Sequence, residues 1–82
     1  MFYKGIFGSP DVARLMRHRN TSGLIAALRN GRDVETRRQA AEYLGELGGA
    51  TAYRPLMDAL DDSEEEVRYA AARALDLNEG RE

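Results

Sequence analysis

The 82 residues carry 12 basic and 14 acidic side chains, for a formal charge of −2, and are 43% hydrophobic and 32% charged. That profile suits one small domain with a charged surface and argues against disorder. The absence of cysteine excludes a disulfide framework and a thiolate metal site, and no apolar run approaches the ~20 residues of a membrane-spanning helix. In chain order, the segment Met1-Phe2-Tyr3-Lys4-Gly5-Ile6-Phe7 is apolar but too short and interrupted for a signal-peptide core. No A-x-A-like cleavage site follows, so a cytoplasmic location is expected. Ser9-Pro10-Asp11 opens the first predicted helix with a capping hydroxyl, a proline at the first helical position and an acid in the first turn. Val12, Leu15 and Met16 form its stripe, and it ends near Arg19. Asn20 caps a second helix through Leu24, Ala27 and Leu28, broken by Asn30-Gly31. Asp33 caps a third, with Ala40, Ala41, Leu44 and Leu47 on one face and Gly48-Gly49 as its terminator. A fourth helix is expected from Thr51 to Leu60. Ser63 with Glu66 has the spacing of a capping box for the fifth, whose stripe is Val67, Ala71, Ala74 and Leu75.

These elements repeat. Arg37-Arg38-Gln39-Ala40-Ala41-Glu42-Tyr43-Leu44 lies over Arg68-Tyr69-Ala70-Ala71-Ala72-Arg73-Ala74-Leu75 at an offset of 31, and Leu24-Ile25-Ala26-Ala27-Leu28 lies over Leu56-Met57-Asp58-Ala59-Leu60 at an offset of 32. The one-residue difference fits an insertion in the turn at 30–33. A period near 30 containing two helical patterns predicts a helical-hairpin solenoid.

The repeated residues resemble HEAT-like repeats of the phycobilisome-lyase type, whose signature runs Leu…Leu, an acidic turn, Val-Arg, Ala-Ala, then Ala-Leu-Gly. Leu56, Leu60, Asp61, Asp62, Val67, Arg68, Ala71, Ala72, Ala74 and Leu75 match it, as do Leu24, Leu28, Asp33, Arg37, Ala40, Ala41, Leu44 and Gly45, with Thr36 in place of the valine. Pro55 sits where many such repeats carry proline, and 11–28 looks like an amino-terminal half-repeat of archaeal-type members. The resemblance implies an all-α fold, a short α-solenoid of about two hairpins plus a leading helix, about five helices in all. As a single domain over 1–82, the chain divides into an apolar segment (1–9), a leading half-repeat (10–30), hairpin helices (33–60 and 63–77) and a polar tail (78–82). The polar ending reads as a terminal cap, and hence as an expectation that the chain is whole.

No catalytic constellation assembles. His18, the only histidine, lies in the basic run 14–19 with no cysteine and no placed serine, so it reads as a solvated surface residue. Asp61-Asp62-Ser63-Glu64-Glu65-Glu66 lacks the spaced ligands and central glycine of a calcium loop and reads as acids at a helix start. Gly45-Glu46-Leu47-Gly48-Gly49 lacks the Lys-Ser/Thr of a phosphate loop. No cofactor and no metal are expected, and no enzymatic activity. Arg37 and Arg68 fall on the core-facing side of their helices, where Asp33 for the first and Asp61 or Asp62 for the second would be their partners; in the family this arginine looks structural.

The candidate partner-binding face is Arg38, Glu42, Tyr69 and Arg73. Each pair is spaced i, i+4, and the offset of 31 makes Arg38 equivalent to Tyr69 and Glu42 to Arg73. Stacked hairpins bring all four to one side. A ladder of Glu42 with Arg73 and Arg38 over Tyr69 is the competing reading. The expected function is a non-enzymatic scaffold that binds an unidentified protein partner. The lyase resemblance suggests as an alternative an accessory or chaperone-like subunit of a cofactor enzyme. Residues 1–38 sum to +5 and 39–82 to −7. That asymmetry raises weak nucleic-acid binding through the basic half, which the acidic half opposes, and weak salt-sensitive self-association of an otherwise monomeric chain.

Overall fold

The computed structural model describes the backbone from Pro10 to Gly80 and the side chains from Val12 to Leu77. The Ser9 cap and the apolar residues Phe2, Tyr3, Ile6 and Phe7 lie outside the described residues. Among the described residues five α-helices follow one another: α1 (Pro10–Arg17), α2 (Thr21–Asn30), α3 (Val34–Leu47), α4 (Tyr53–Ala59) and α5 (Glu65–Gly80). No strand occurs among the described residues. The fold is all-α, with α2–α3 and α4–α5 as stacked hairpins, α2 beside α4 and α3 beside α5, and α1 leading against α2 and α3.

Local chemistry sets the boundaries. Arg19 takes a left-handed φ of 52°, its amide donating to the Met16 carbonyl at 2.9 Å and the Asn20 amide to that of Leu15 at 2.8 Å. This is the Schellman arrangement, usually held by glycine. It stops α1 at Arg17. Asn20 then accepts from the Gly23 amide at 2.8 Å, and Asp33 accepts from the Thr36 amide at 2.9 Å, so both predicted caps form. Hydrogen bonding from Thr36, side chain first and amide second, holds the Asp33 carboxyl below the ordinary aspartate range. Gly48 and Gly49 take φ of 72° and 101° and end α3, a conformation that costs glycine little. The predicted fourth helix begins as a 3₁₀ turn at Ala50–Ala52 before becoming α4. Pro55 stands in its first turn, where a missing amide breaks no intrahelical bond.

The start of α5 departs from expectation. The described hydrogen bonds include none from the Ser63 or Glu66 side chains; instead Asp62 Oδ1 accepts from the Glu64 amide at 3.0 Å. The carboxylate two residues before an amide closes the same kind of turn with a shorter reach, and so displaces the Ser63/Glu66 box. At its other end α5 runs to Gly80, past Leu77.

The core is a thin seam of a few large side chains separated by alanines. Leu24, Leu44, Leu56, Val12 and Val67 are fully buried, with Ala40, Ala41, Ala70, Ala71 and Ala74 between them. Each buried Leu or Val is worth about 1.5–3 kcal/mol relative to exposure. The alanines let α3 and α5 approach closely. A Cβ at Gly45 would lie 2.7 Å from the Ala74 Cβ and 2.8 Å from its Cα. This close contact fixes where the two second helices cross, and so shapes the surface they share.

Candidate protein-binding groove

Arg38, Glu42, Tyr69 and Arg73 come together along one groove of about 320 Å³ between α3 and α5. Ala70 and Ala74 also line it, with Glu46, Glu66 and Leu77. α3 contributes Arg38, Glu42 and Glu46 at helical spacing, and α5 contributes the rest. Tyr69 is 65% exposed and Leu77 47%, so the groove has a small apolar base and two apolar side chains open to solvent.

The pairing inside the groove runs along each helix and not between helices. Arg38 reaches back to Glu35, in close contact with Oε2 and at 3.3 Å from Oε1, and forward to Glu42 at 2.6 Å. Gln39 adds a bond to Glu35 at 3.0 Å. The Glu35 hydrogen bonds, opposed by partial burial and joined by Glu42, raise the Arg38 guanidinium above its ordinary value. Arg73 lies over the Tyr69 ring at 6.0 Å from the centroid, at the outer edge of cation–π range. The competing reading, a cross-helix ladder of Glu42 with Arg73, is therefore corrected. No Glu42–Arg73 ion pair forms among the described residues, because both α3 carboxylates nearest Arg38 are already turned toward it. Arg73 is left with an aromatic neighbour and no carboxylate among the described residues.

A second correction concerns the repeated arginine. Arg37 does not pair with Asp33, which is occupied in capping α3. It forks instead onto Asp62 of the next hairpin, Nε to Oδ2 at 2.9 Å and Nη2 to Oδ1 at 3.1 Å, and its Nη1 donates to the Gly31 carbonyl at 3.0 Å. The two side chains are 15% and 13% exposed. Burial pushes the Asp62 carboxyl up, but the Arg37 hydrogen bond, the Glu64 amide and the charges of Arg37 and Arg68 together hold it below the usual range. Arg68, by contrast, is exposed. Among the described residues it donates only to the Asp62 carbonyl, Nη1 to O at 2.8 Å, and hydrogen-bonds to no side chain of Asp61 or Asp62.

The basic first half and acidic second half are thus partly stitched together, by Arg37 with Asp62 and, at the surface, by Arg29 with Asp58 at 3.4 Å. The groove between α2 and α4 that holds this outer pair has about 290 Å³ and is lined by Leu28, Arg29, Pro55, Asp58, Ala59, Asp61 and Asp62. Sequence reasoning missed Glu46, Glu66 and Leu77 at the main groove and Glu35 as the partner of Arg38. Glu46 and Leu77 were legible in principle, as i+4 from Glu42 and Arg73 on the same helix faces. His18 is exposed. Among the described residues no group of three His, Asp or Glu side chains converges to hold a metal ion, and no helix is long and apolar enough to cross a membrane.

A family model of HEAT repeats matches residues 21–80, covering both hairpins. Among curated proteins, the phycocyanobilin lyase subunit alpha of Picosynechococcus sp. (strain ATCC 27264 / PCC 7002 / PR-6) is 34% identical over 70 residues, which cover 78% of this chain and 26% of that protein. The chain thus spans about a quarter of that relative's length. No solved structure matches significantly. The two stacked hairpins, their repeated Arg-and-alanine pattern and the match over 21–80 agree: the chain belongs to the HEAT repeats.

Proposed function

We propose that the chain is a protein-binding scaffold, and that it receives its partner in the groove between α3 and α5 through Arg38, Glu42, Tyr69 and Arg73. HEAT repeats are an architecture of protein interaction, and the observation that carries the assignment to this groove is the exposure of Tyr69 beside Arg73. A tyrosine and an arginine are residue types enriched at binding hot spots, and a rigid ring offers large contact area at low entropic cost. Arg38, locked between Glu35 and Glu42, presents a fixed charge on the opposite wall, whereas Arg73 keeps its hydrogen-bonding capacity for a visitor. Three carboxylates, Glu42, Glu46 and Glu66, flank the apolar base, so the groove suits a segment with apolar side chains and basic residues beside them.

The test is affinity capture from native lysate with the wild-type chain and with Tyr69→Ala/Arg73→Ala in parallel. A specific partner should be retained by the first and bind the second at least about tenfold more weakly, about 1.4 kcal/mol, with little change in melting temperature. A partner held equally by both, or a double variant that melts early, would move the site elsewhere, with the α2–α4 groove next.

The similarity to a phycocyanobilin lyase subunit favours a second reading, an accessory subunit acting beside a cofactor enzyme. Titration with phycocyanobilin, followed by visible absorption, separates the two. A saturable spectral shift supports the accessory reading, and an unchanged spectrum supports the scaffold.

A further inference from the structure

The amino-terminal residues hold what the described core lacks. Both phenylalanines of the chain fall in residues 1–9, with Tyr3 and Ile6 beside them, whereas the buried apolar core among the described residues is leucine, valine and alanine alone. Each aromatic ring has about 150–250 Å² to bury. Lys4 is the chain's only lysine and the only charged residue before Asp11, so the segment is both apolar and basic. The α3–α5 groove has the complementary character. Ala70, Ala74, Tyr69 and Leu77 give it an apolar base and flanks, and Arg38 and Arg73 share it with Glu42, Glu46 and Glu66. Glu42 is held by Arg38, but Glu46 and Glu66 make no ion pair among the described residues.

The groove is also within reach. Short connections at 18–20, 31–33, 48–52 and 60–64 join the helices, so neighbours run antiparallel and α1, α3 and α5 point the same way. Pro10 therefore lies at the edge of the fold that carries the starts of α3 and α5. At that edge Glu66, in the first turn of α5, opens the groove. α1 packs on α3 and α3 on α5, which puts the far wall two helix spacings from α1, about 20 Å. Extended chain covers about 3.3 Å per residue, so Lys4, six residues before Pro10, reaches about 20 Å and Phe2 about 26 Å.

We propose that the chain's own residues 1–9 occupy the α3–α5 groove, with aromatic rings over Ala70 and Ala74 and Lys4 beside Glu66, and that a partner must displace them to bind. This rests on the groove being the binding surface proposed above, and adds its resident occupant. The partner then carries a segment of the same apolar and basic kind and competes with this one. Charge reversal at Lys4 releases the segment and opens the groove.

The chain has no tryptophan, so Phe2→Trp in the full chain places a single fluorescent reporter in the segment. Its emission should be blue-shifted and shielded from acrylamide. Lys4→Glu and Glu66→Lys, each added alone, should move it to the red and open it to the quencher, and the two together should restore the shielded spectrum. Circular dichroism checks that each variant keeps its helices. A solvated indole before any charge is changed would overturn the proposal. So would a shielded indole indifferent to both reversals, which would place the segment on another surface such as α1, or a swap that fails to restore shielding. Shielding that appears only as concentration rises would make a second copy's segment the occupant and overturn it as well. A solvated indole with capture still dependent on Tyr69 and Arg73 removes the resident segment alone. A docked indole with capture indifferent to Tyr69 and Arg73 removes the partner reading and keeps the segment.

Discussion

The junction between the two hairpins and the free end of the second hairpin are built from the same sequence pattern, yet one is sealed and the other open. At the junction Arg37 is largely covered and forked onto Asp62, Ala41 is fully buried, and Gly45 touches Ala74. At the free end Arg68, Ala72 and Asp76 occupy the matching positions and face solvent. The difference teaches that in a stacked-repeat protein a residue's environment depends on its place in the repeat and also on whether another repeat is stacked upon it.

Removal of the two arginines should separate these environments most widely. Arg37→Ala leaves Asp62 partly buried without its partner and loses a charge-assisted fork, which should cost about 2–3 kcal/mol. In a domain this size that corresponds to a fall in melting temperature of roughly 10–20 °C, measurable by thermal circular dichroism. The same loss should change the acid response. Asp62 releases its proton more readily in the folded chain than in the unfolded one. Its stabilising contribution is therefore fully present above the ordinary aspartate value of about 3.9 and disappears as pH falls through the lower folded value. Urea midpoints of the wild type should drop across that window, and Arg37→Ala should flatten the Asp62 part of the drop, leaving that of Asp33.

Gly45 and Asp76 give the next contrast. An alanine at 45 gains about 1 kcal/mol in helix propensity, but its Cβ would sit 2.8 Å from the Ala74 Cα. The two helices must move apart, at a cost of about 1–3 kcal/mol. Net destabilisation of about 1 kcal/mol is expected for Gly45→Ala by urea denaturation, and a change within about 0.5 kcal/mol for Asp76→Ala. A more stable Gly45→Ala variant would show that the α3–α5 contact is looser than described.

The smallest effect belongs to Arg68→Ala. Its single bond to a carbonyl at an exposed site should leave stability within about 0.5 kcal/mol of wild type. A loss as large as that of Arg37→Ala would mean that the free end is covered in solution.

Much of this was legible in the sequence, and the failures share one cause. The helices, the Asn20 and Asp33 caps, the Gly48-Gly49 stop and the two-hairpin stack follow from local signals and a period near 30. The gathering of Arg38, Glu42, Tyr69 and Arg73 along one side follows from the offset of 31. The partners of the charged side chains did not follow, because several carboxylates lie within reach of each arginine and local spacing does not rank them. Asp33 and Arg37 have ideal spacing, but Asp33 is consumed by the Thr36 amide, and Asp62 reaches Arg37 only once the second hairpin is stacked. Arg68 has the helical phase of a core-facing residue, and nothing in that phase records whether a neighbour covers it. In the groove, Glu35 took the share of Arg38 that a cross-helix ladder would have needed.

A double-mutant cycle on the junction tests the contrast most directly. Arg37→Ala and Asp62→Asn, singly and together, should show a coupling energy of about 1–3 kcal/mol in urea denaturation at neutral pH. The parallel cycle of Arg68→Ala with Asp62→Asn should give a clearly smaller coupling, since the Arg68 charge acts on the Asp62 carboxylate without a hydrogen bond to it and its bond to the Asp62 carbonyl survives the substitution. Equal coupling in both cycles, or coupling confined to Arg68, would contradict a sealed junction at Arg37 and an open end at Arg68.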